Sequence, residues 1–364
     1  MKQRISLIKK IDGILGPFIL KNFTEVKYKK KPENIKKILL IRPGGMGDAA
    51  LLLPVIKEIK LKYPWIIIDI LCESRNCGIF NATPYADEIY LYDNIVSMLS
   101  LFKKKYDLIF DTEQSHFLSV IICRILRSKY RVGFDVFGRG RLFNHSIKYR
   151  HDLYEAQSFQ NLFQQVFDLP ETAALNPPYF EAEDTSEAVD EIIKRGIGKK
   201  IVCIFSGATI DERLWPEEKW AEVVKSLSES NCLVVLLGGA MEKKQCRIIK
   251  SLSGDKNAID MSGRLSLLET NCLFLKSNIL ISTDSGILHL GVLSNIPTVS
   301  LFGSGISVKW APRGEMHVVI NKQLPCSPCT HFGSTPECMI DNSCMVKINS
   351  SDVLEAAKGL LDIK

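Results

Sequence analysis

At 364 residues the chain exceeds the usual size of a single hydrophobic core, so two domains are expected. Hydrophobic residues make up 46% and charged residues 24%, which places it among folded globular proteins and excludes disordered and collagen-like classes. The net charge of +6 is too modest to require a nucleic-acid partner, no apolar run approaches the ~20 residues of a membrane span, and no signal-peptide pattern opens the chain, so a cytoplasmic protein is expected.

Residues 1–36 form an N-terminal extension, rich in lysine, as is the stretch 27–37. Ile5, Leu7, Ile8, Ile11, Ile14, Leu15 and Phe18 have partly helical spacing interleaved with Lys9 and Lys10. Two readings are open: a basic amphipathic helix on an anionic membrane surface, or a helix packed on its own domain, with Gly13, Gly16 and Pro17 interrupting the pattern. Strands are then predicted over 38–41, 66–71, 88–91, 108–110 and 130–133, and helices over 49–61, 117–126 and 154–167. A Pro-, Glu- and Ala-rich stretch, 169–186, reads as an interdomain linker. The alternation restarts with strands over 201–205, 232–237, 279–282, 298–301 and 318–320. Helices are predicted over 217–227, 242–249, 267–275 and 353–361. Alternating strands and helices imply parallel sheets covered on both faces. The expected divisions are 1–36, a Rossmann-like domain over 37–175, a second over 185–349, and a terminal helix over 350–364.

Four constellations could carry chemistry. The first, Arg42-Pro43-Gly44-Gly45-Met46-Gly47-Asp48, joins a strand to a helix, and its glycines Gly44, Gly45 and Gly47 admit a ligand close to the backbone. Asp48 is either the helix N-cap or a general base. Gly45-x-Gly47-x-x-Ala50, with Glu73 after the next strand, also fits a dinucleotide loop. The second is Ser206-Gly207-Ala208-Thr209 with Arg213, hydroxyls and a guanidinium suited to phosphate. The third is Thr283-Asp284-Ser285-Gly286 with His289, where a strand ends and a helix N-terminus offers N–H groups and a positive dipole to an anion. Glu242, after Gly238-Gly239, is placed either to accept from ribose hydroxyls or as an ordinary first-turn glutamate, and His289 is either a donor-site or a core histidine. The fourth is Cys326-x2-Cys329-x8-Cys338-x5-Cys344, a candidate structural Zn²⁺ or iron–sulfur ligand set; a labile disulfide or plain thiols are the alternatives. The other seven of the eleven cysteines sit in apolar stretches and read as buried thiols.

In order along the chain, residues 38–48, Ser206–Thr209 with Arg213-Leu214-Trp215-Pro216-Glu217-Glu218-Lys219-Trp220, and Thr283–Gly286 with His289 through Leu301-Phe302-Gly303 resemble glycosyltransferase family 9, the ADP-heptose:lipopolysaccharide heptosyltransferases. The likeness runs from about Lys37 to the last helix. It implies a GT-B fold, two Rossmann-like domains facing across a cleft, and an inverting, metal-independent sugar transfer in lipopolysaccharide biosynthesis. The implied partners are an ADP-sugar donor and a lipid-linked or oligosaccharide acceptor, with no cofactor needed for catalysis. By position Asp48 would be the general base, and Arg213, where many members have Lys, would neutralise the departing diphosphate. Thr209, Ser285 and Gly286 would bind phosphate, Glu242 ribose and Leu265 the base, with Ser206, Asp284 and His289 nearby. Arg131, Arg139, Arg141 and His145 are either contacts for an anionic acceptor or an ordinary solvated loop. The rival readings are an NAD-type oxidoreductase using Gly45-x-Gly47 and a non-catalytic sugar-nucleotide binding protein.

Overall fold

The alternating pattern resolves into two parallel sheets. In a computed structural model of the protein, residues 2–27, 29–171, 177, 179–180, 186–331 and 334–363 are described, with side chains from residue 12 onward. Most of the linker expected over 169–186, and the side chains of Ile5, Leu7, Ile8 and Ile11, lie outside the described residues. The chain divides into two units, Met1–Tyr179 and Phe180–Lys364.

Unit 1 holds strands β1 (Lys37–Arg42), β2 (Ile67–Cys72), β3 (Glu88–Leu91), β4 (Lys105–Asp111), β5 (Arg127–Asp135) and β6 (His145–Lys148). Its helices are α1 (Lys2–Lys21), α2 (Met46–Lys62), α3 (Cys77–Asn81), α4 (Ile95–Leu101), α5 (Phe117–Ile125) and α6 (Glu155–Phe163). The sheet order is β3-β2-β1-β4-β5-β6, every pair parallel, so the strand order reverses between β1 and β4. Successive residues of a strand face opposite sides, and both sides are apolar. Leu39, Ile41 and Ile109 pack with Leu101 of α4, with Phe117, Val120 and Ile121 of α5, and with Leu20 of α1. The next residue, Phe110, points the other way and stacks on Phe163 of α6 at 4.0 Å between ring centres.

Unit 2 repeats the plan. Its strands are β7 (Lys200–Phe205), β8 (Cys232–Leu237), β9 (Ile259–Asp260), β10 (Ile279–Thr283), β11 (Thr298–Leu301) and β12 (His317–Ile320), in the order β12-β11-β10-β7-β8-β9. Its helices are α7 (Glu187–Arg195), α8 (Glu217–Glu229), α9 (Lys243–Ser253), α10 (Leu267–Leu275), α11 (Gly286–Leu293), α12 (Ser307–Trp310), α13 (Ser343–Val346) and α14 (Ser350–Leu361). The reversal falls between β7 and β10. Trp215 and Trp220, edge to face at 4.9 Å, anchor a core that α14 completes with Val353, Ala357 and Leu361.

Three expectations need correction. Gly13, Gly16 and Pro17 do not interrupt the first helix; α1 is continuous. A Cβ on Gly16 would fall 2.4 Å from Phe117 Cβ, so this glycine lets α1 lie against α5. Asp12 then caps α5, its carboxylate accepting from Phe117 N–H (2.8 Å) and Leu118 N–H (2.6 Å). Second, of the four basic residues offered to an anionic acceptor or a solvated loop, Arg131 and Arg139 are buried and used within unit 1, while Arg141 and His145 are half-buried. Arg131 donates to the carbonyls of Cys123 and Leu126 at the end of α5, Arg139 pairs with Asp111, Arg141 donates to Leu20 O, and His145 meets Gln165. Third, β6, β9 and helices α3, α4, α7, α12 and α13 are not anticipated by the sequence pattern.

Candidate active site

In both units the reversal of strand order leaves a gap between the loops that follow the first and fourth strands, and ligands of open parallel sheets bind at such a point. In unit 1 the first strand ends at Arg42. The chain turns through Gly44 at φ +119°, a conformation that favours glycine, and enters α2 with Gly45 as N-cap. Asp48 is therefore not the N-cap but the third residue of α2. Arg42 is fully buried. It donates to Thr112 O (2.7 Å) and Pro43 O (3.0 Å), and its Nη2 lies 3.5 Å from Asp48 Oδ2 and 3.4 Å from Glu113 Oε2. Burial alone would raise the Glu113 pKa, but Arg42, His116 and Arg139 together hold it down at about 2. Arg139, also fully buried, pairs with Asp111 at 2.6 Å and donates to Glu113 O at 2.7 Å. Asp48 thus stands partly exposed at the rim of a buried, charge-balanced cluster that fixes its neighbour Arg42. Glu73, the acid of the dinucleotide pattern, is engaged by Arg75 at 2.6 Å.

In unit 2 the loops after β7, β8, β10 and β11 converge. Thr283 Oγ1 donates to Gly207 O, tying the end of β10 to the β7 loop. Ser285 is the N-cap of α11, its hydroxyl oxygen accepting from Leu288 N–H, so the N–H groups from Gly286 onward open this helix. Arg213 sits in a short turn after β7 and reaches Asp284, with Nη1 3.1 Å from Oδ2. Asp284 in turn lies against Gly305 of the β11 loop, where a Cβ would be 2.0 Å from its Oδ2. Glu242 folds back so that its Oε2 accepts from Gly239 N–H at 2.7 Å, and its side chain covers Gly207 and Gly238. Among the described residues, the buried polar atoms here without a hydrogen-bond partner include the donors Ser206 Oγ, Ser304 Oγ and Arg213 Nε and the acceptor Asp284 Oδ2, which is held by its ion pair with Arg213. His289 is buried in α11, Thr209 is exposed on the β7 loop, and Leu265 lies half-buried in the loop after β9. Ser304 escaped the sequence reading, although it directly follows the quoted Phe302-Gly303.

The cysteine-bearing segment is built onto this edge. Cys329 N–H and Thr330 N–H donate to Ser304 O, Ser327 Oγ donates to Gly303 O, and Cys344 and Met345 crowd the Cα of Gly303. Asn342 Nδ2 donates to Asp211 O at 3.1 Å, at the start of the Arg213 turn. The segment thereby holds two of the converging loops from behind. Cys338 Sγ accepts from Asn342 N–H, Cys344 is buried and Cys326 exposed. No disulfide forms among the described residues, and no group of three or more His, Cys, Asp or Glu side chains among them is arranged to hold a metal ion. Of the seven scattered cysteines, all but the half-buried Cys77 are buried, and burial pushes the Cys203 and Cys246 thiols up to about 12.

Residues 98–340 match the model of glycosyltransferase family 9 (heptosyltransferase). The chain is 25% identical over 336 residues to lipooligosaccharide heptosyltransferase 2 of Campylobacter jejuni, covering 89% of this chain and 98% of that protein. Among solved structures it is similar to the family 9 glycosyltransferase of Veillonella parvula (TM-score 0.75, 17% identity, 92% of this chain and 99% of that one). It is also similar to the Escherichia coli heptosyltransferase WaaC solved with ADP (TM-score 0.68, 15% identity, 89% and 99%). The two parallel sheets and these likenesses identify the fold as GT-B. The chain belongs to glycosyltransferase family 9, the heptosyltransferase family, and is an enzyme that transfers sugar.

Proposed function

We propose that the protein transfers a heptose, or a closely related sugar, from its ADP-linked form to a lipopolysaccharide-core acceptor, with inversion and without a metal ion, in the cytoplasm. The observation that carries this reading is the set of buried, unpartnered groups in unit 2, Ser206 Oγ, Ser304 Oγ and Arg213 Nε, gathered with the N-terminus of α11. A buried polar group without a partner costs about 1–3 kcal/mol. A diphosphate supplies acceptors to these three donors, while the acceptor Asp284 Oδ2 stays paired with Arg213. Arg213 keeps one edge on Asp284 and offers the other, so a single planar guanidinium is fixed and still able to donate. As the glycosidic bond breaks, negative charge grows on the departing ADP. A fixed cation and a helix N-terminus stabilise that charge where a metal would otherwise be required. Ser285 and Gly286 lie at that N-terminus, Thr209 adds a hydroxyl, and Glu242 and Leu265 serve ribose and base.

In unit 1, Asp48 is the general base that takes the proton from the acceptor hydroxyl. Its partial exposure leaves it accessible, and Arg42, shared with Glu113, orients it without being able to accept a proton itself. The ADP-bound E. coli relative and the C. jejuni lipooligosaccharide relative support the choice of donor and acceptor class. The test is transfer from ADP-heptose to heptose-deficient lipopolysaccharide core by wild type and Asp48→Asn. A positioned base contributes roughly 10²–10⁴-fold, so the variant should lose at least a hundredfold in turnover while binding ADP as wild type does. Normal turnover by Asp48→Asn refutes the assignment of the base.

A further inference from the structure

We propose that the outer faces of α1 and α4 form a docking surface for an anionic phospholipid bilayer. α1 packs on α5 through Gly16 and Asp12, which leaves the opposite side of the helix with Ile14, Leu15, Phe18 and Ile19 in solvent; Ile14 is 66% and Phe18 65% exposed. These four positions, i, i+1, i+4 and i+5, share one side of a helix. α4 shows the same arrangement. Leu101 is buried and Met98 packs against the same core cluster as Leu20 of α1, while Ile95, Val96 and Leu99 face outward, at 77%, 72% and 60% exposure. Both helices therefore cover the same side of the unit 1 sheet, and each turns large aliphatic side chains away from it. Isolated exposed apolar residues are ordinary, but two helices that both do this on one side of a sheet mark a binding surface.

Charge selects the occupant. The sequence of α1 contains Lys2, Arg4, Lys9, Lys10 and Lys21 and one acid, Asp12. That acid is spent on the N-terminus of α5, so the helix has no carboxylate to repel an anionic surface. Exposed Lys27 and Lys29 follow α1 and exposed Lys103 and Lys105 follow α4, outnumbering the exposed acids Glu25 and Asp93 beside these helices, while Lys30 pairs with Glu33 and Lys104 with Glu88. Aliphatic side chains with lysines at their margin are the composition of helices that lie in the plane of a membrane interface and favour anionic headgroups. The helix meets the surface rather than crossing it: no helix of the described residues is long and apolar enough to span a membrane.

The test is co-sedimentation of the full chain with phosphatidylglycerol-containing vesicles and with phosphatidylcholine vesicles, alongside its mass in solution. The expected result is binding to the anionic vesicles that weakens at high salt, and at least tenfold weaker binding by Ile14→Ser/Leu15→Ser/Phe18→Ser/Ile19→Ser. Ile95→Ser/Val96→Ser/Leu99→Ser should weaken it as well. All these side chains are exposed, and an unchanged far-UV circular dichroism spectrum with an unchanged unfolding transition of unit 1 shows that each variant is folded. No binding by wild type, or equal binding by both variants, overturns the inference. So does a wild-type dimer that the α1 variant converts to monomer, since the face would then be covered by a second copy. Vesicle binding is read without turnover, so its failure in a protein that still binds ADP leaves the donor site standing.

Discussion

Replacing Glu113 by Gln tests whether the buried charge cluster beneath Asp48 works as the geometry implies. Glutamine keeps the size of the side chain and can still accept at one oxygen from the N–H groups of Gln114 and Ser115, as Glu113 Oε1 does at 2.9 Å. It loses the negative charge beside Arg42. A carboxylate drawn from the ordinary 4.5 to about 2 is stabilised in its ionised form. At ~1.4 kcal/mol per pH unit this is worth about 3 kcal/mol of folding stability at neutral pH. The sign follows from the direction. A depressed carboxylate contributes fully above its unfolded pKa near 4.5 and loses that contribution as the pH falls towards 2. The difference between wild type and Glu113→Gln should therefore be about 3 kcal/mol at pH 7 and roughly halve by pH 3. Burial moves Asp111 the other way and the Glu113 charge adds to that rise, so Glu113→Gln also relieves Asp111 and offsets part of the difference. Urea unfolding followed at both pH values measures the difference, with ADP present in a parallel series to identify the transition of unit 2. A destabilisation below about 1 kcal/mol at pH 7, or one that does not change with pH, refutes the view that Glu113 is held ionised by Arg42.

Three further outcomes are expected. Arg213→Met should weaken ADP roughly ten- to 150-fold, the equivalent of one or more charge-assisted hydrogen bonds at about 1.5–3 kcal/mol, with Arg213→Lys intermediate because it keeps the charge but not the fork; calorimetric titration with ADP reads this. Asn342 sits at φ +52°, so Asn342→Gly removes its bond to Asp211 O without backbone strain. At about 1 kcal/mol for that bond, ADP should bind roughly fivefold more weakly while the melting of unit 1 is unchanged. Transfer measured with EDTA should stay within about twofold of its rate with Mg²⁺, since Arg213 and the α11 N-terminus take the diphosphate charge; a loss restored by added Mg²⁺ would contradict metal independence.

Much of the architecture could be read in the sequence because buried parallel strands are short uninterrupted apolar runs bounded by glycine loops, as at residues 38–41 and 232–237. What escaped was short or polar. β6, His145–Lys148, has no fully buried residue, and β9 is only two residues long. Gly16 looked like a break in a helix because its reason lies in Phe117, a hundred residues away. The loops bearing Asp48, Arg213 and Ser285 stood out for their residue types at strand ends. The partners of those loops did not. Arg42 meets Glu113 and Arg213 meets Asp284, the first pair joining the end of β1 and the second the loop after β7 to the loop after a fourth strand, and no local pattern announces such a pairing. For the same reason Arg139 resembled an exposed acceptor contact until its buried partner Asp111 was visible.

The measurement that bears most directly on the donor site is the thermal stability of the purified protein with ADP, an ADP-sugar, UDP, GDP and NAD, each in excess. A ligand at one hundred times its dissociation constant adds about 2.7 kcal/mol to the stability of the unit that binds it. On this account ADP and the ADP-sugar should stabilise the wild type by this amount and Arg213→Met by only about 0.3–1.4 kcal/mol at the same concentration, for binding roughly ten- to 150-fold weaker. Stabilisation by UDP, GDP or NAD in place of ADP, or an equal ADP shift in Arg213→Met, would contradict it.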